Sequence, residues 1–227
     1  MTRKQGRGAA GPARRDLPPP GPDTQPGSRD VRTLILDATE RLLAGQRFES
    51  LSVAGILNAA GVSRGSFYFY FASKHAVLAE LVRRAVGDAQ QAAGTWAGDD
   101  SGAPSAALRR GTREGSRLWR EHAPVLRAIV ENWQSDPALA TLWTQIMDGF
   151  TAVAAERIQA DRVTGLAPGC DDDPRLLASV LCWMNERAWY LAAAGHPGFT
   201  DEARLADTLT EVWQAAIYGT SASPPGT

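Results

Sequence analysis

Three short stretches hold the residue types that could do chemistry. Gly61-Val62-Ser63-Arg64-Gly65 has the G-x-S-x-G spacing with which a hydrolase presents a nucleophilic serine on a strained strand-to-helix turn. Directly after it, Phe67-Tyr68-Phe69-Tyr70-Phe71 places five rings in succession. Far along the chain, Asn185 stands between Trp183 and Trp189, in a region that holds six of the seven tryptophans.

The serine chemistry fails on its surroundings. A nucleophile elbow needs a strand before the serine, a parallel sheet around it, and an acid and a histidine later in the chain. The segment before Gly61 instead carries Val53, Ile56, Leu57 and Ala60 at helical spacing, so a helix delivers Ser63. His75 and His122 fall in helical stretches and His196 in a turn. Glu186 and Arg187 adjoin Asn185, but neighbours in sequence point to different helix faces, and no His, Cys or paired carboxylate completes a catalytic set. Asp171 to Asp173 could chelate a cation, yet Asp173-Pro174 reads as a cap with proline in the first helical turn. Cys170 and Cys182 lack C-x-x-C spacing and read as buried thiols. Neither an enzyme, a metal site nor a cofactor is expected.

What remains for residues 52 to 71 is a helix-turn-helix, in which a first short helix braces a second that enters the DNA major groove. Ser52 can start the first helix, Gly61 can end it, and Ser63 can cap the second. The ring run then becomes intelligible. Phe67 and Phe71, four apart, face inward against Leu42, Phe48, Ile56 and Leu78; Ser66, Tyr68 and Tyr70 are left toward solvent or DNA. A tyrosine hydroxyl suits a phosphate and Arg64 a bidentate base contact. The alternative is that Tyr68 and Tyr70 pad the core, and Phe69 has no assigned role. Lys74 opens the next helix, whose N-terminal amides suit a phosphate with or without the ammonium.

These residues need elements to position them, and the pattern is helical nearly throughout. Leu34, Ile35, Ala38, Leu42 and Leu43 form the buried stripe of a first helix, and a long helix begins at Ser73. Five more are expected at about 104–121, 123–134, 136–163, 174–194 and 201–218, about nine in all. No stretch alternates as a strand does, so the fold class is all-α. Residues 1 to 28, with six prolines and five glycines, read as a disordered basic arm. The arm either adds unspecific phosphate affinity or has no role. Residues 29–73 then form the DNA-binding domain, 74–219 a larger helical domain and 220–227 a tail. Residues 1 to 92 carry thirteen Lys and Arg against eight Asp and Glu, although the whole chain nets −1. With no apolar run long enough to span a bilayer and no signal peptide centre, a cytoplasmic location is expected.

The stretch ILDATERLLAGQRFESLSVAGILNAAGVSRGSFYFYFASKHAVLAELV strongly resembles the TetR family of bacterial transcriptional regulators, and similarity to one branch of it continues through MNERAWY and VWQAAIYG. The resemblance implies an N-terminal DNA-binding domain and a C-terminal domain that dimerises and holds a ligand pocket. It implies DNA contacts at Ser52, Ser63, Arg64, Gly65, Ser66, Tyr68, Tyr70 and Lys74, and an effector oriented by Asn185. One turn earlier that branch has a second Asn, where this chain has Cys182.

The tryptophans beyond Trp96 could simply fill a core, or they could wall a ligand cavity with a few polar groups to orient the guest. On the second reading the wall comprises Trp119, Met147, Phe150, Cys182, Asn185, Trp189, Tyr190 and Trp213. A buried amide without a partner is costly, so Asn185 either bonds the backbone or awaits a ligand carbonyl. The last two helices are expected to pair with their two-fold mates, with Leu205, Leu209, Val212 and Ala216 as the stripe. The functional expectation is a homodimeric repressor on double-stranded operator DNA, released when a small hydrophobic effector fills the pocket and shifts the fourth helix. An activator or a ligand-independent DNA binder of the same fold is the alternative.

Overall fold

The computed structural model describes residues 30–97, 104–167 and 173–219, with side chains not described for 88–97. The expected arm and tail, Cys170, Asp171, the Trp96 side chain and much of the loop at 98–104 lie outside these residues. Among them are eight α-helices and no strand: α1 Val31–Gly45, α2 Val53–Ala60, α3 Arg64–Tyr70, α4 Lys74–Ala97, α5 Pro104–Asn132, α6 Pro137–Val163, α7 Pro174–Ala193 and α8 Glu202–Tyr218. The two helices expected at 104–121 and 123–134 are the two halves of α5, which meet at a break. Pro124 removes a backbone donor and crowds the preceding turn, and the break falls at His122, with φ −119° and ψ 22°.

The ends are set by local chemistry. Ser52 Oγ accepts the Gly55 N–H at 3.0 Å and Ser63 Oγ accepts that of Ser66 at 3.0 Å, capping α2 and α3. Asp136 and Asp173 do the same for α6 and α7, each followed by proline at the first helical position. Between α2 and α3, Gly61 takes a left-handed conformation at φ 67°. A side chain there would strain the turn by roughly 1 kcal/mol.

Helices α1 to α3 close over one core with the first turns of α4. Phe67, Ile56, Leu78 and Phe48 are essentially fully buried and Phe71 is nearly so, with Leu42 packed against them. Burying a ring of this size contributes about 2–3 kcal/mol, so the two phenylalanines of α3 suffice to hold a seven-residue helix that would not persist alone. The remaining helices pack α4 along α5, α5 along α8 and α6 along α7. Two polar links sit inside that bundle. Thr112 and Thr210 hydroxyls pair at 2.7 Å between α5 and α8. Arg157 Nε donates to both oxygens of Asp161, which also accepts the Tyr218 hydroxyl.

Among the contacts that join the head to the rest, one is a three-way hydrogen bond. Lys74 Nζ donates to the carbonyls of Phe48, Glu49 and Leu51 at 3.0, 3.1 and 2.8 Å, and lies 4.6 Å from the centre of the Phe48 ring. The three carbonyls belong to and just follow the 3-10 turn Phe48–Ser50 that leads into α2. Replacing the ammonium leaves them without a donor. Lys74→Gln is therefore expected to lose about 2 kcal/mol in urea denaturation. An unchanged midpoint would show that the lysine is not structural.

Candidate functional site

The reading head is built from α2, its turn and α3. With Phe67 and Phe71 inward, the opposite face carries Tyr68, Phe69 and Tyr70 at 50, 81 and 39 % exposure. Ser52, Ser63, Arg64 and Gly65 are exposed as well, and Ser66 is half-buried. Ser63 and Ser66 hydroxyls lie 2.8 Å apart, so much of their hydrogen-bonding capacity is turned toward the cap. A Cβ on Gly65 would meet only Ser63 Oγ, at 3.8 Å; the chain's own packing does not require glycine there. Phe69, without a role in the sequence reading, is the most exposed of the large apolar side chains and packs edge-on against Tyr70 with centroids 5.0 Å apart.

One expectation changes in detail. The Lys74 ammonium points back into the head, where its protons meet three carbonyls, so the group that α4 turns outward at this point is its amide end. No side chain in the set is arranged for serine chemistry. Ser63 follows a helix, and His75, His122 and His196 lie against Asp136, Glu40 and the Gly198 amide respectively.

The second feature is a cavity of about 570 Å³ bounded by α5, α6, α7 and α8 and touched by Val86 of α4. Of the expected wall, Trp119, Met147, Phe150, Cys182, Asn185, Trp189 and Trp213 line it. Tyr190 does not: one residue past Trp189, it is turned about 100° around the helix, and its hydroxyl donates to Glu131 Oε1 at 3.2 Å. The tryptophans divide between both roles foreseen for them, since Trp119, Trp143, Trp189 and Trp213 are buried and also face the space. Gly115 contributes a bare backbone. A Cβ there would come within 3.2 Å of Trp189 Nε1, so glycine lets the indole sit against α5.

Asn185 is bonded to a side chain rather than to the backbone. Its Oδ1 accepts the Trp213 indole N–H at 3.0 Å. Because an indole nitrogen only donates, this contact fixes which end of the amide is oxygen and leaves the NH2 group as the free donor. Beside it, Glu186 was passed over in the search for catalytic residues, yet it also lines the cavity. Cys182, Asn185, Glu186 and Trp189 form the i, i+3, i+4, i+7 stripe of one α7 face, the signal by which the sequence could have shown it. Burial raises the Glu186 carboxyl above its usual range, with Arg187 pulling it partly back. Burial also pushes the Cys182 thiol up to about 11 against a hydrogen bond with Thr151, so it is an inert wall residue.

Of the stripe expected to face a second subunit, Leu209 is buried within its own chain and Leu205 and Ala216 are half-buried, leaving Val212 exposed. Leu176 and Val180 of α7 are exposed too, at 61 and 58 %. Among the described residues no group of three or more His, Cys, Asp or Glu side chains is placed to hold a metal, and no described helix is long and apolar enough to cross a membrane.

The Glu186 environment predicts a pH effect. Its folded pKa lies above the unfolded one, so the folded state binds the proton more tightly; that contribution is full in acid and fades as pH rises through the raised value. Glu186→Gln should therefore match wild type in Tm at pH 4 and exceed it by a few degrees at pH 8 in thermal denaturation.

Comparison with known proteins agrees with this architecture. Residues 35–81 match the model of the bacterial regulatory proteins, tetR family, and residues 108–219 that of the C-terminal domain of the transcriptional regulator EthR. The chain is 37 % identical over 202 residues to the HTH-type transcriptional regulator EthR of Mycolicibacterium smegmatis, covering 86 % of this chain and 90 % of that protein. It is 34 % identical over 196 residues to EthR of Mycobacterium tuberculosis, with the same coverage. In fold it is similar to SmeT, the repressor of the Stenotrophomonas maltophilia multidrug efflux pump SmeDEF, at TM-score 0.68 and 21 % identity, covering 86 % of this chain and 94 % of that one. The fatty acid degradation regulator FadR from Bacillus halodurans superposes at TM-score 0.69 and 17 % identity, covering 86 and 98 %. The chain is a transcriptional regulator of the TetR family with an EthR-type C-terminal domain.

Proposed function

We propose that this regulator is a homodimeric repressor that binds a palindromic operator and leaves it when a hydrophobic small molecule fills the C-terminal cavity. The observation that carries the reading is that α4 begins in the head at Lys74 and reaches the cavity wall at Val86, so one rigid element serves both ends. The relatives are transcriptional regulators, and TetR-family members act as dimers with small-molecule effectors.

On the DNA side, Tyr68 and Tyr70 hydroxyls and the α4 amides meet phosphates, Arg64 reads a guanine edge, and Gly65 lets the backbone approach. Phe69 offers an apolar face to a thymine methyl. Few of these groups are cationic, so affinity draws on two heads bound at once. Ser52 and Ser63 act through the helix starts that they cap. The dimer forms through α7 and α8, where Leu176, Val180 and Val212 are otherwise exposed to water. The heads then sit about 34 Å apart or a multiple of that, matching successive major grooves.

On the ligand side, moving the regulator from mostly bound to mostly released requires about 5.5 kcal/mol of differential affinity. An effector that buries about 250 Å² of apolar surface in the released form and little of it in the DNA-bound form gains about 6 kcal/mol of that difference at ~25 cal/mol/Å².

Two measurements test the reading. In mobility-shift titrations on the promoter beside its own gene, Tyr70→Phe should bind about fivefold more weakly while keeping the wild-type Tm, since it removes one hydroxyl and no packing; a loss of stability would mean that the ring is core. In the same assay a compound shown by calorimetry to occupy the cavity should lower operator affinity at least tenfold. Equal affinity with and without every such compound would exclude the switch.

A further inference from the structure

Two cavity groups are left without work by the reading above, the Trp143 indole N–H, which is buried without a hydrogen-bond partner, and Glu186. The Glu186 side chain is only 4 % exposed, and Oε1 is buried with no hydrogen-bond partner. Oε2 lies 3.8 Å from Arg187 Nε, too long for a direct bond. Arg187 itself is 56 % exposed and stacks over the Tyr190 ring at 5.1 Å, so it is solvated and engaged elsewhere. The other charged groups lining the cavity, Arg110, Arg113 and Glu114, are on exposed positions of α5 and form its rim. Inside, the wall is mainly rings and aliphatic side chains, and its donors, the Trp143 indole N–H among them, do not bond the carboxyl.

A buried carboxyl with one oxygen unsatisfied is costly to the chain, and the cost is removed by any occupant that brings a hydrogen-bond donor to that oxygen. A cationic donor removes it best, because the charge pair forms where water is absent and the bond is charge-assisted. An anionic head is opposed by the same group. Asn185 adds a second constraint on the adjoining position. With its oxygen held by the Trp213 indole, it presents NH2 to the cavity, and so it accommodates an oxygen on the ligand next to the nitrogen.

We propose that the effector is a hydrophobic amine, its protonated nitrogen docked on the Glu186 carboxyl, which turns toward it, and its apolar body lying among Trp119, Trp143, Phe150, Trp189 and Trp213. This rests on the reading of the cavity as the effector site, and deepens it by naming the head group.

The test compares three probes that share one apolar body, phenylbutylamine, phenylbutanol and phenylpentanoate, by calorimetry on the full-length protein and on Glu186→Gln. Wild type should bind the amine at least tenfold more tightly than the alcohol, and the carboxylate most weakly. Glu186→Gln, checked for its fold by Tm, should bind the alcohol within about twofold of wild type and lose the preference for the amine. Equal binding of amine and alcohol by wild type, or an amine preference that survives in Glu186→Gln, overturns the proposal while leaving the cavity reading intact. Failure of all three probes to bind either protein overturns both.

Discussion

One ammonium ties the turn that leads into α2 to the first residue of α4, alongside the ion pairs Arg32–Glu80, Asp37–Arg84 and Arg47–Glu131. Lys74 meets three carbonyls that come from residues 48, 49 and 51. Three protons on one nitrogen, each aimed at a different carbonyl, leave little freedom between the turn before α2 and the first residue of α4. Hydrophobic packing alone would tolerate sliding, because burial is proportional to area and indifferent to direction. The ammonium supplies the direction. Since α3 is anchored on the same core by Phe67 and Phe71, the outward face of Tyr68, Phe69 and Tyr70 is referenced to the start of α4 rather than to the bundle as a whole.

The cavity follows a different logic. Its walls are large rings that do not collapse on one another, and glycine at 115 admits an indole that any side chain would press upon. The polar groups are few and their states are imposed by neighbours: an indole N–H selects the orientation of the Asn185 amide, while burial raises both the Glu186 carboxyl and the Cys182 thiol. Such a site discriminates by the head group of its guest, since the apolar body of almost any hydrophobic ligand meets the same rings.

How much of this could be seen in the sequence depended on whether the cause was local. Helix starts at Ser52, Ser63 and Asp173, the stop at Gly61 and the inward and outward sorting of the ring run all follow from spacing within four residues, and all were legible. The break near Pro124 was legible too, since a proline without an N–H interrupts the helix just before it. That the Lys74 ammonium folds back is not legible locally, because its partners lie 23 to 26 residues earlier, and nothing nearby distinguishes a lysine that folds back from one that reaches out. Tyr190 adjoins Trp189 in sequence but not on the wall, because adjacent helical residues diverge by about 100°. Glu186 was dropped by the same rule applied too strictly: successive residues diverge, yet positions i+3 and i+4 straddle one face, and both Asn185 and Glu186 belong to the stripe that starts at Cys182.

A mechanical consequence follows for the proposed switch. From Lys74 to Val86 an α-helix spans about 18 Å, at 1.5 Å per residue. A rotation of α4 by about 5° at the cavity end moves the other end by about 1.6 Å, and the Lys74 contacts carry the head with it. Hydrogen bonds to phosphate hold over a range of only about 0.5 Å, so a displacement of this size breaks the alignment of a backbone amide or a tyrosine hydroxyl. Rings on flexible cationic stems would follow the phosphates; short, rigid donors cannot. The scarcity of lysine and arginine on the reading face therefore makes docking weaker and at the same time makes it more sensitive to where α4 points, which is the property a ligand-released repressor needs.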